Sequence, residues 1–255
     1  MLDRIVSYKF SVNSFEVNAD YYERDIKNIF IPILKKLTHM KKNKNGRFLV
    51  YLAAPPGAGK STLASFLEFL SRDNEEVLEI QAVGIDGFHY HQDYIKNNSI
   101  VVDGKKVPMV EVKGCPETFD LDRLKSKIAA LKHENVMWPV YDRNLHDVVE
   151  DQILVTKDIV LIEGNWLLLD EDKWRELKEY CDYSIFIDAD EAMLKERLVQ
   201  RKTRGGLSRE DAVKFYEKSD GKNLRRVMDN SSGADLYLKL SKDGKYETGG
   251  IINGN

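Results

Sequence analysis

The chain has 255 residues, of which 42% are apolar and 32% charged, and its formal net charge is −3. That length admits one large α/β domain or two small ones. The charge supplies no global basic field for nucleic acid, and no apolar run approaches the length of a membrane span. The first residues, Met1-Leu2-Asp3-Arg4, lack the apolar stretch of a signal peptide. The two cysteines, Cys115 and Cys181, show no metal-type spacing and read as free thiols in a reducing compartment, so a cytoplasmic protein is expected.

Residues 4–17 alternate loosely, with Asn13-Ser14 as a turn, which suggests a short hairpin. Asn18 or Asp20 is a candidate cap for a helix from about Tyr21 to Thr38, with Ile26, Phe30, Ile33, Leu34 and Leu37 on one face and Pro32 as a bend. The basic run from Lys41 to Gly46 reads as a solvated loop. Phe48 to Ala53 is an apolar run of strand type, and Leu63 to Leu70 has helical apolar spacing. Val77 to Ile85 is the next strand candidate and runs into Asp86-Gly87-Phe88-His89-Tyr90. Ser99 to Val107 alternates around Asp103-Gly104, the pattern of a small hairpin or flap. Asp120 caps a predicted helix reaching about Lys132, whereas residues 136–150 are polar, aromatic and irregular and read as a substrate loop. Asp158 to Gly164 is a buried-strand pattern ending in Glu163, a short helix covers 171–180, and Tyr183 to Asp188 is another strand. A helix over 191–202 ends among Arg197, Arg201 and Arg204. Ser208, with Asp211, caps the helix after it. Asp235 to Leu240 is a last strand, before a Gly/Asn-rich tail from Gly249 that is expected to fray. Strands alternating with helices predict an α/β three-layer sandwich with a mostly parallel sheet of about five strands, plus lid and flap insertions. One domain spanning 1–255 is the simplest organisation: an N-terminal hairpin and helix (1–47), a core (48–240) and a tail (241–255).

The most informative stretch is Ala54-Pro55-Pro56-Gly57-Ala58-Gly59-Lys60-Ser61-Thr62, placed between a strand and a helix. A triphosphate is a dense anion. Small residues let successive backbone N–H groups of Gly57, Ala58, Gly59, Lys60, Ser61 and Thr62 converge on it, and the helix N-terminus adds partial positive charge. Lys60 is placed to reach the β- and γ-phosphates, and the Ser61 hydroxyl to ligate Mg²⁺. Ala54 stands where the usual pattern has its first glycine, a mild departure at a position that needs a small residue. A chance Gly-Lys-Ser in a turn is the competing explanation, and the strand and helix around it argue against it.

Three classes of phosphate-loop protein compete. A GTPase needs an Asn-Lys-x-Asp guanine reader, and neither Thr156-Lys157-Asp158 nor Ser241-Lys242-Asp243 has that spacing. A motor or transporter ATPase carries an aspartate at the end of the second acidic strand and class-specific loops, whereas this strand ends in Glu163. A small-molecule kinase needs a base for the acceptor hydroxyl, Mg²⁺ ligands and lid arginines, and Asp86, Glu163, Arg201 and Arg204 are candidates in that order.

Several segments resemble the pantothenate kinase, uridine kinase and phosphoribulokinase group. Asp86 to Tyr90 resembles its Asp-containing turn after the second strand. Lys113-Gly114-Cys115-Pro116-Glu117-Thr118-Phe119-Asp120 resembles the Lys-Gly-x-Pro-Glu-Ser-Tyr-Asp stretch of bacterial pantothenate kinases. Pro139-Val140-Tyr141-Asp142 resembles a Pro-x-Tyr segment, and Glu163-Gly164 the group's Glu-Gly. The likeness is nearest to a subgroup labelled nucleoside-triphosphate hydrolase-like or fructose-transport-system kinase, and it spans roughly residues 48 to 240. It implies a P-loop kinase fold, ATP and Mg²⁺ as cofactors, and a small-molecule acceptor, with no nucleic acid and no membrane as partner. Dimers are common in the group.

The resemblance makes Asp86 the carboxylate that orients the acceptor hydroxyl, against a plain Asp-Gly turn. It makes Glu163 a holder of Mg²⁺ or its water, against a strand-end cap. Arg201 and Arg204 become lid arginines, although a helix C-terminus favours arginine through its dipole alone. Lys60, Asp86, Arg201 and Arg204 are thus the candidate catalytic set. Tyr141 and His146 carry the Tyr-to-His spacing of uridine kinases, where both contact the nucleoside. Arg143 and His146 depart from the pantothenate kinase pattern and weaken pantothenate as the substrate. His89, Tyr90 and His91 complete the candidate acceptor pocket. The expected activity is transfer of the γ-phosphate to a hydroxyl of a sugar, a nucleoside or a pantothenate-like alcohol. The alternative is a nucleotide-binding regulator or slow NTPase using the same loop.

Overall fold

A computed structural model describes residues 4–12, 15–102 and 104–249. Its centre is strand β3 (Phe48–Ala53), which is buried along its whole length. Both faces are apolar because both are covered: Phe48, Val50 and Leu52 point into one core layer, and Leu49, Tyr51 and Ala53 into the other. Strands β1 (Ile5–Val12) and β2 (Phe15–Tyr22) precede it as an antiparallel pair, and the predicted turn Asn13-Ser14 lies outside the described residues. Beyond β3 the sheet takes β4 (Ile80–Gly84), β9 (Ile159–Gly164), β10 (Tyr183–Ala189), β11 (Leu236–Leu240) and β12 (Tyr246–Gly249). Their order is β12-β11-β10-β3-β9-β4, parallel throughout except for β12. The sheet therefore has six strands rather than about five. The extra edge strand is fixed by the buried Asp25 carboxylate, which accepts from the Tyr246 amide at 2.9 Å.

The helices are α1 (Ile31–Lys42), α2 (Lys60–Arg72), α3 (Gln92–Asn97), α4 (Leu121–Leu131), α5 (Asp172–Arg175), α6 (Glu191–Arg204), α7 (Arg209–Phe215) and α8 (Gly221–Asn230). The first helical region starts at Glu23, not Tyr21, because β2 continues to Tyr22. Asn18 and Asp20 are consequently strand residues rather than caps, and Asp20 accepts from Ser7 across the hairpin at 2.5 Å. Pro32 sits in the first turn of α1, after a π turn over Ile26–Phe30, where the α-helical ladder is already interrupted. The N-terminal hairpin covers α2: Tyr21 stacks on Phe66 with ring centroids 4.0 Å apart, and Tyr8 tilts against the same ring at 4.8 Å.

Asp120 caps α4 as its sequence predicts, its side chain accepting from the Arg123 amide at 3.0 Å. Ser208 caps α7 by accepting from the Asp211 amide at 3.1 Å. The flap is a hairpin of β5 (Ser99–Val102) and β6 (Lys105–Pro108), its turn residue Asp103 lying outside the described residues. Residues 136–150 differ from expectation. They are not an irregular loop but most of a third hairpin, β7 (Val136–Asp142) and β8 (Asp147–Val155). Pro139 breaks the visible alternation because it falls at a register shift between Trp138 and Val140. The turn is an Asx type, with the Asp142 carboxylate accepting from the amides of Asn144 at 2.7 Å and Leu145 at 3.1 Å. Trp138 and Trp166 are fully buried and Trp174 nearly so, which makes all three core residues.

Candidate active site

The C-terminal ends of β3, β4 and β9 lie side by side, and each delivers one part of the site. The chain leaves β3, crosses to β4 at the sheet edge, returns to β9 between them and then crosses β3 to β10, so ligand space opens at the strand ends. After β3 comes the glycine loop. Gly57 and Gly59 have φ of +88° and +86°, a left-handed conformation that favours glycine. A side chain at Gly57 would also strike Leu198 Cγ at 3.1 Å, because α6 packs directly on the loop. Lys60 and Ser61 begin α2, and Thr62 follows in its first turn.

At the end of β9, Glu163 lies under this loop. Ser61 Oγ donates to Glu163 Oε1 at 2.7 Å, and Lys60 Nζ is 3.7 Å from Oε2. Gly84 faces Glu163 in the sheet register, and a Cβ there would lie 2.8 Å from Oε1, so a larger residue would displace the carboxylate. After β4, Asp86 sits in a 3-10 turn, Ile85–Phe88. Gly87 lets the β7–β8 hairpin come against this turn: a Cβ would lie 2.3 Å from the Pro139 carbonyl oxygen.

The two buried carboxyls are driven in opposite directions. Desolvation raises both. For Asp86, the charges of Lys60, His89, Arg143 and Arg201 outweigh that burial and hold its carboxyl below the ordinary range. For Glu163, burial and the nearby Asp86 charge exceed the pull of Lys60 and Ser61 and push its carboxyl up. The surrounding cations thus favour the charged form of Asp86, whereas the charged form of Glu163 calls for further positive charge. A hydroxyl and a buried carboxylate side by side, both oxygen donors, fit a hard divalent cation such as Mg²⁺.

Around Asp86 the acceptor-side candidates separate. Tyr141 comes near it, its hydroxyl accepting from Lys113 Nζ at 2.9 Å. Lys113 also donates to Gln92 Oε1 at 2.6 Å and lies over the Tyr141 ring. Arg143, on the hairpin turn, is partly buried and feels the charges of Asp86, Glu163 and Arg201. His89 is buried and tilted against Phe119 with ring centroids 3.8 Å apart, and its Nδ1 is 3.2 Å from the Thr118 carbonyl oxygen. Burial lowers its pKa despite the pull of Asp86. Tyr90 turns toward Tyr94 and Asp120 instead of Asp86. His146 is exposed in the hairpin turn at φ +55° and offers its backbone carbonyl to Lys113.

Arg201 and Arg204 end α6, the helix that packs on the glycine loop. Arg201 Nη2 lies 4.0 Å from Asp220 Oδ2, and its charge reaches Arg143 and Asp86. Arg204 is exposed and, among the described residues, makes no ion pair or side-chain hydrogen bond. Lys202 and Asp220, not singled out in the sequence, join this cluster. Lys202 Nζ sits 3.6 Å over the Phe215 ring and is drawn by Asp220. The Lys113–Asp120 segment is largely a brace. Thr118 Oγ1 accepts from the Gly114 amide at 3.1 Å, Trp166 Nε1 donates to the Gly114 carbonyl at 3.1 Å, and Glu117 is gripped by Arg226.

A mostly parallel six-stranded α/β sheet with a glycine loop after its central strand, and a carboxylate of the neighbouring strand beneath that loop, defines a P-loop kinase architecture. Residues 49–241 match the model of the Phosphoribulokinase / Uridine kinase family, and the chain belongs to that family. It is 40% identical over 239 residues to the uncharacterized protein YggC of Escherichia coli K12, covering 93% of this chain and 97% of that one. It is 27% identical to the pantothenate kinase of Lactococcus lactis subsp. cremoris MG1363, over 78% of this chain and 69% of that enzyme. Among solved structures it is similar to a candidate fructose transport system kinase from Silicibacter sp. TM1040, with a TM-score of 0.70 and 33% identity over 80% of this chain and 98% of that one. No helix among the described residues is long and apolar enough to cross a membrane.

Proposed function

We propose that this protein is an ATP- and Mg²⁺-dependent kinase that transfers the γ-phosphoryl group to a hydroxyl of a small metabolite. The observation that carries the reading is the meeting of Lys60, Ser61 and Glu163 at the loop, with the ionised Asp86 in the same field. The amides of residues 57–62 and the Lys60 ammonium bind the triphosphate and align its terminal phosphorus. Ser61 and Glu163 would hold Mg²⁺, which when bound neutralises phosphate charge that builds during transfer. Asp86 accepts the proton of the acceptor hydroxyl as its oxygen bonds to the γ-phosphorus and the bond to the β–γ bridging oxygen breaks, leaving ADP. Arg201, with Arg204 on the same helix end, offsets charge on the transferring group and helps to exclude water. Tyr141, Arg143 and Lys113 border the space where an acceptor approaches Asp86. Tyr90 and His146 contribute less to it than their sequence positions suggest. The whole chain acts as one kinase domain in this reading.

The test is a single-turnover screen of sugars, nucleosides and pantothenate-like alcohols with Mg·ATP and mass detection of product. Consumption of ATP only in the presence of one acceptor supports the kinase. Acceptor-independent hydrolysis, or retention of ATP without turnover across the screen, overturns it in favour of a nucleotide-dependent regulator.

A further inference from the structure

Between α7 and α8 the chain makes a π turn, Tyr216–Asp220, rather than continuing as a regular α-helix. Such a turn inserts an extra residue and re-aims the side chains that follow, and it is common at functional positions. Here the widened turn is held by close packing, since a Cβ on Gly221 would lie 2.9 Å from the Tyr216 ring. The residue it delivers is Asp220. Its side chain is 15% exposed, and Oδ2 is buried with no hydrogen-bond partner among the described residues. Its ion-pair partner is Arg201 Nη2, at 4.0 Å, too far for a hydrogen bond. Asp220 also supplies the strongest charge attraction on both Arg201 and the neighbouring Lys202.

A buried carboxylate oxygen left without a direct partner costs free energy and calls for an explanation. An ordinary structural ion pair would have closed the gap, as Arg226 does with Glu117 at 2.7 Å. We propose that Asp220 is a positioning residue that sets the lid guanidinium of Arg201 over the nucleotide's terminal phosphate. The inference rests on the kinase reading above. The π turn fixes the carboxylate, the carboxylate fixes the side of α6 from which Arg201 works, and the separation leaves the guanidinium's donors free for phosphate oxygens. Lys202, anchored over Phe215, shares the counter-charge, so Arg201 is guided without being consumed in a fork.

The experiment measures binding of Mg·ATP and Mg·ADP by calorimetry, so it needs no acceptor. Arg201→Ala is expected to weaken Mg·ATP roughly tenfold while leaving Mg·ADP almost unchanged, since only the terminal phosphate loses a charge-assisted partner. Asp220→Asn, nearly isosteric, is expected to produce the same ATP-selective loss. The double variant is expected to be no weaker than Arg201→Ala alone, and Asp220→Glu to recover part of the loss. A merely structural Asp220 would weaken both nucleotides together or add to Arg201→Ala, and either result overturns the proposal. Normal ATP-over-ADP discrimination in a folded Asp220→Asn protein overturns it as well, while leaving the kinase reading intact. If the unsubstituted chain binds neither nucleotide, the kinase reading falls and takes this proposal with it.

Discussion

Ser61 Oγ donates a hydrogen bond to Glu163 Oε1 across 2.7 Å, joining the start of α2 to the end of β9 over 102 residues of chain. Neither strand position nor helix position explains this bond alone. It exists because β3 and β9 are adjacent in register, Leu52 opposite Glu163, so the loop after one strand overhangs the end of the other. Glu163→Gln keeps the shape and removes the charge. Its prediction is a loss of Mg²⁺-dependent nucleotide turnover of roughly 100-fold or more, with the melting temperature unchanged or raised. The rise is expected because Glu163 is driven up by burial and by Asp86, and a neutral amide relieves that repulsion. Turnover assays and thermal melts check the two halves separately. Retention of full turnover would rule out the proposed metal-holding role of Glu163.

Much of this arrangement was legible in the sequence, for specific reasons. The glycine loop is a local motif, and the flanking runs fix its context. Asp86 and Glu163 stood out because each ends an apolar run. The Asp120 and Ser208 caps follow from side-chain chemistry within a single turn. What was hidden is tertiary. Asp220 has no local signal, since only the π turn and α6 make it face Arg201. The β7–β8 hairpin was masked by Pro139 at its bulge and by a polar outer face. Tyr90 follows Asp86 by four residues yet turns toward Asp120, because the chain bends away after the 3-10 turn. β12 was lost among polar residues because an edge strand needs little apolar surface, and its anchor, Asp25, lies 221 residues away.

Gly87 gives the sharpest steric prediction. Its hypothetical Cβ would meet Pro139 O at 2.3 Å, Pro139 C at 2.5 Å and Val140 N at 2.8 Å, all backbone atoms that cannot rotate aside. Gly87→Ala must therefore push the hairpin off the Asp86 turn. Overpacking of this kind costs about 1–3 kcal/mol. For a chain of this size that lowers the melting temperature by roughly 2–10 °C. Activity should fall further than stability alone requires, because Tyr141 and Arg143 move with the hairpin. A melt within a degree of the parent would show that the turn and hairpin are not in contact.

The two thiols make a prediction about alkaline conditions. Burial is the main cause pushing both Cys115 and Cys181 up to about 12, from an ordinary value near 9. Thiolate is the reactive form, so both should resist a disulfide reagent at pH 8 in the folded protein and react promptly in denaturant. Stability follows with a definite sign. Above pH 9 the unfolded chain loses thiol protons that the folded chain keeps, so the unfolded state binds fewer protons and stability falls as pH rises from 9 toward 12. The slope is up to about 1.4 kcal/mol per pH unit for each thiol. Urea titrations at pH 8.5 and 10.5 should show a smaller loss in a Cys115→Ala/Cys181→Ala protein than in the parent.

Arg226 tests whether the Lys113–Asp120 segment braces the site or lines it. Its guanidinium meets Glu117 through Nη1 at 3.1 Å and Nη2 at 2.7 Å, and Glu171 through Nε at 3.0 Å. One side chain on α8 thus ties down the turn before α4 and the chain entering α5. A lysine cannot reproduce two forks. Arg226→Lys should cost about 1–3 kcal/mol at pH 7, since several charge-assisted bonds are lost at a partly exposed position. Both partner carboxyls are held below their ordinary value. For Glu117, burial works against the fork and loses to it, and for Glu171 the Arg226 bonds dominate. Depressed carboxylates contribute stability above about pH 4.5, and that contribution disappears as acid protonates them in the folded state. The difference between parent and Arg226→Lys should therefore be full at pH 7 and shrink as pH falls below 4.5 in urea titrations. Nucleotide affinity, measured at a temperature where both proteins are folded, should stay within roughly twofold because Arg226 carries no phosphate contact in this reading. A large, selective loss of ATP binding would instead place the brace inside the active site.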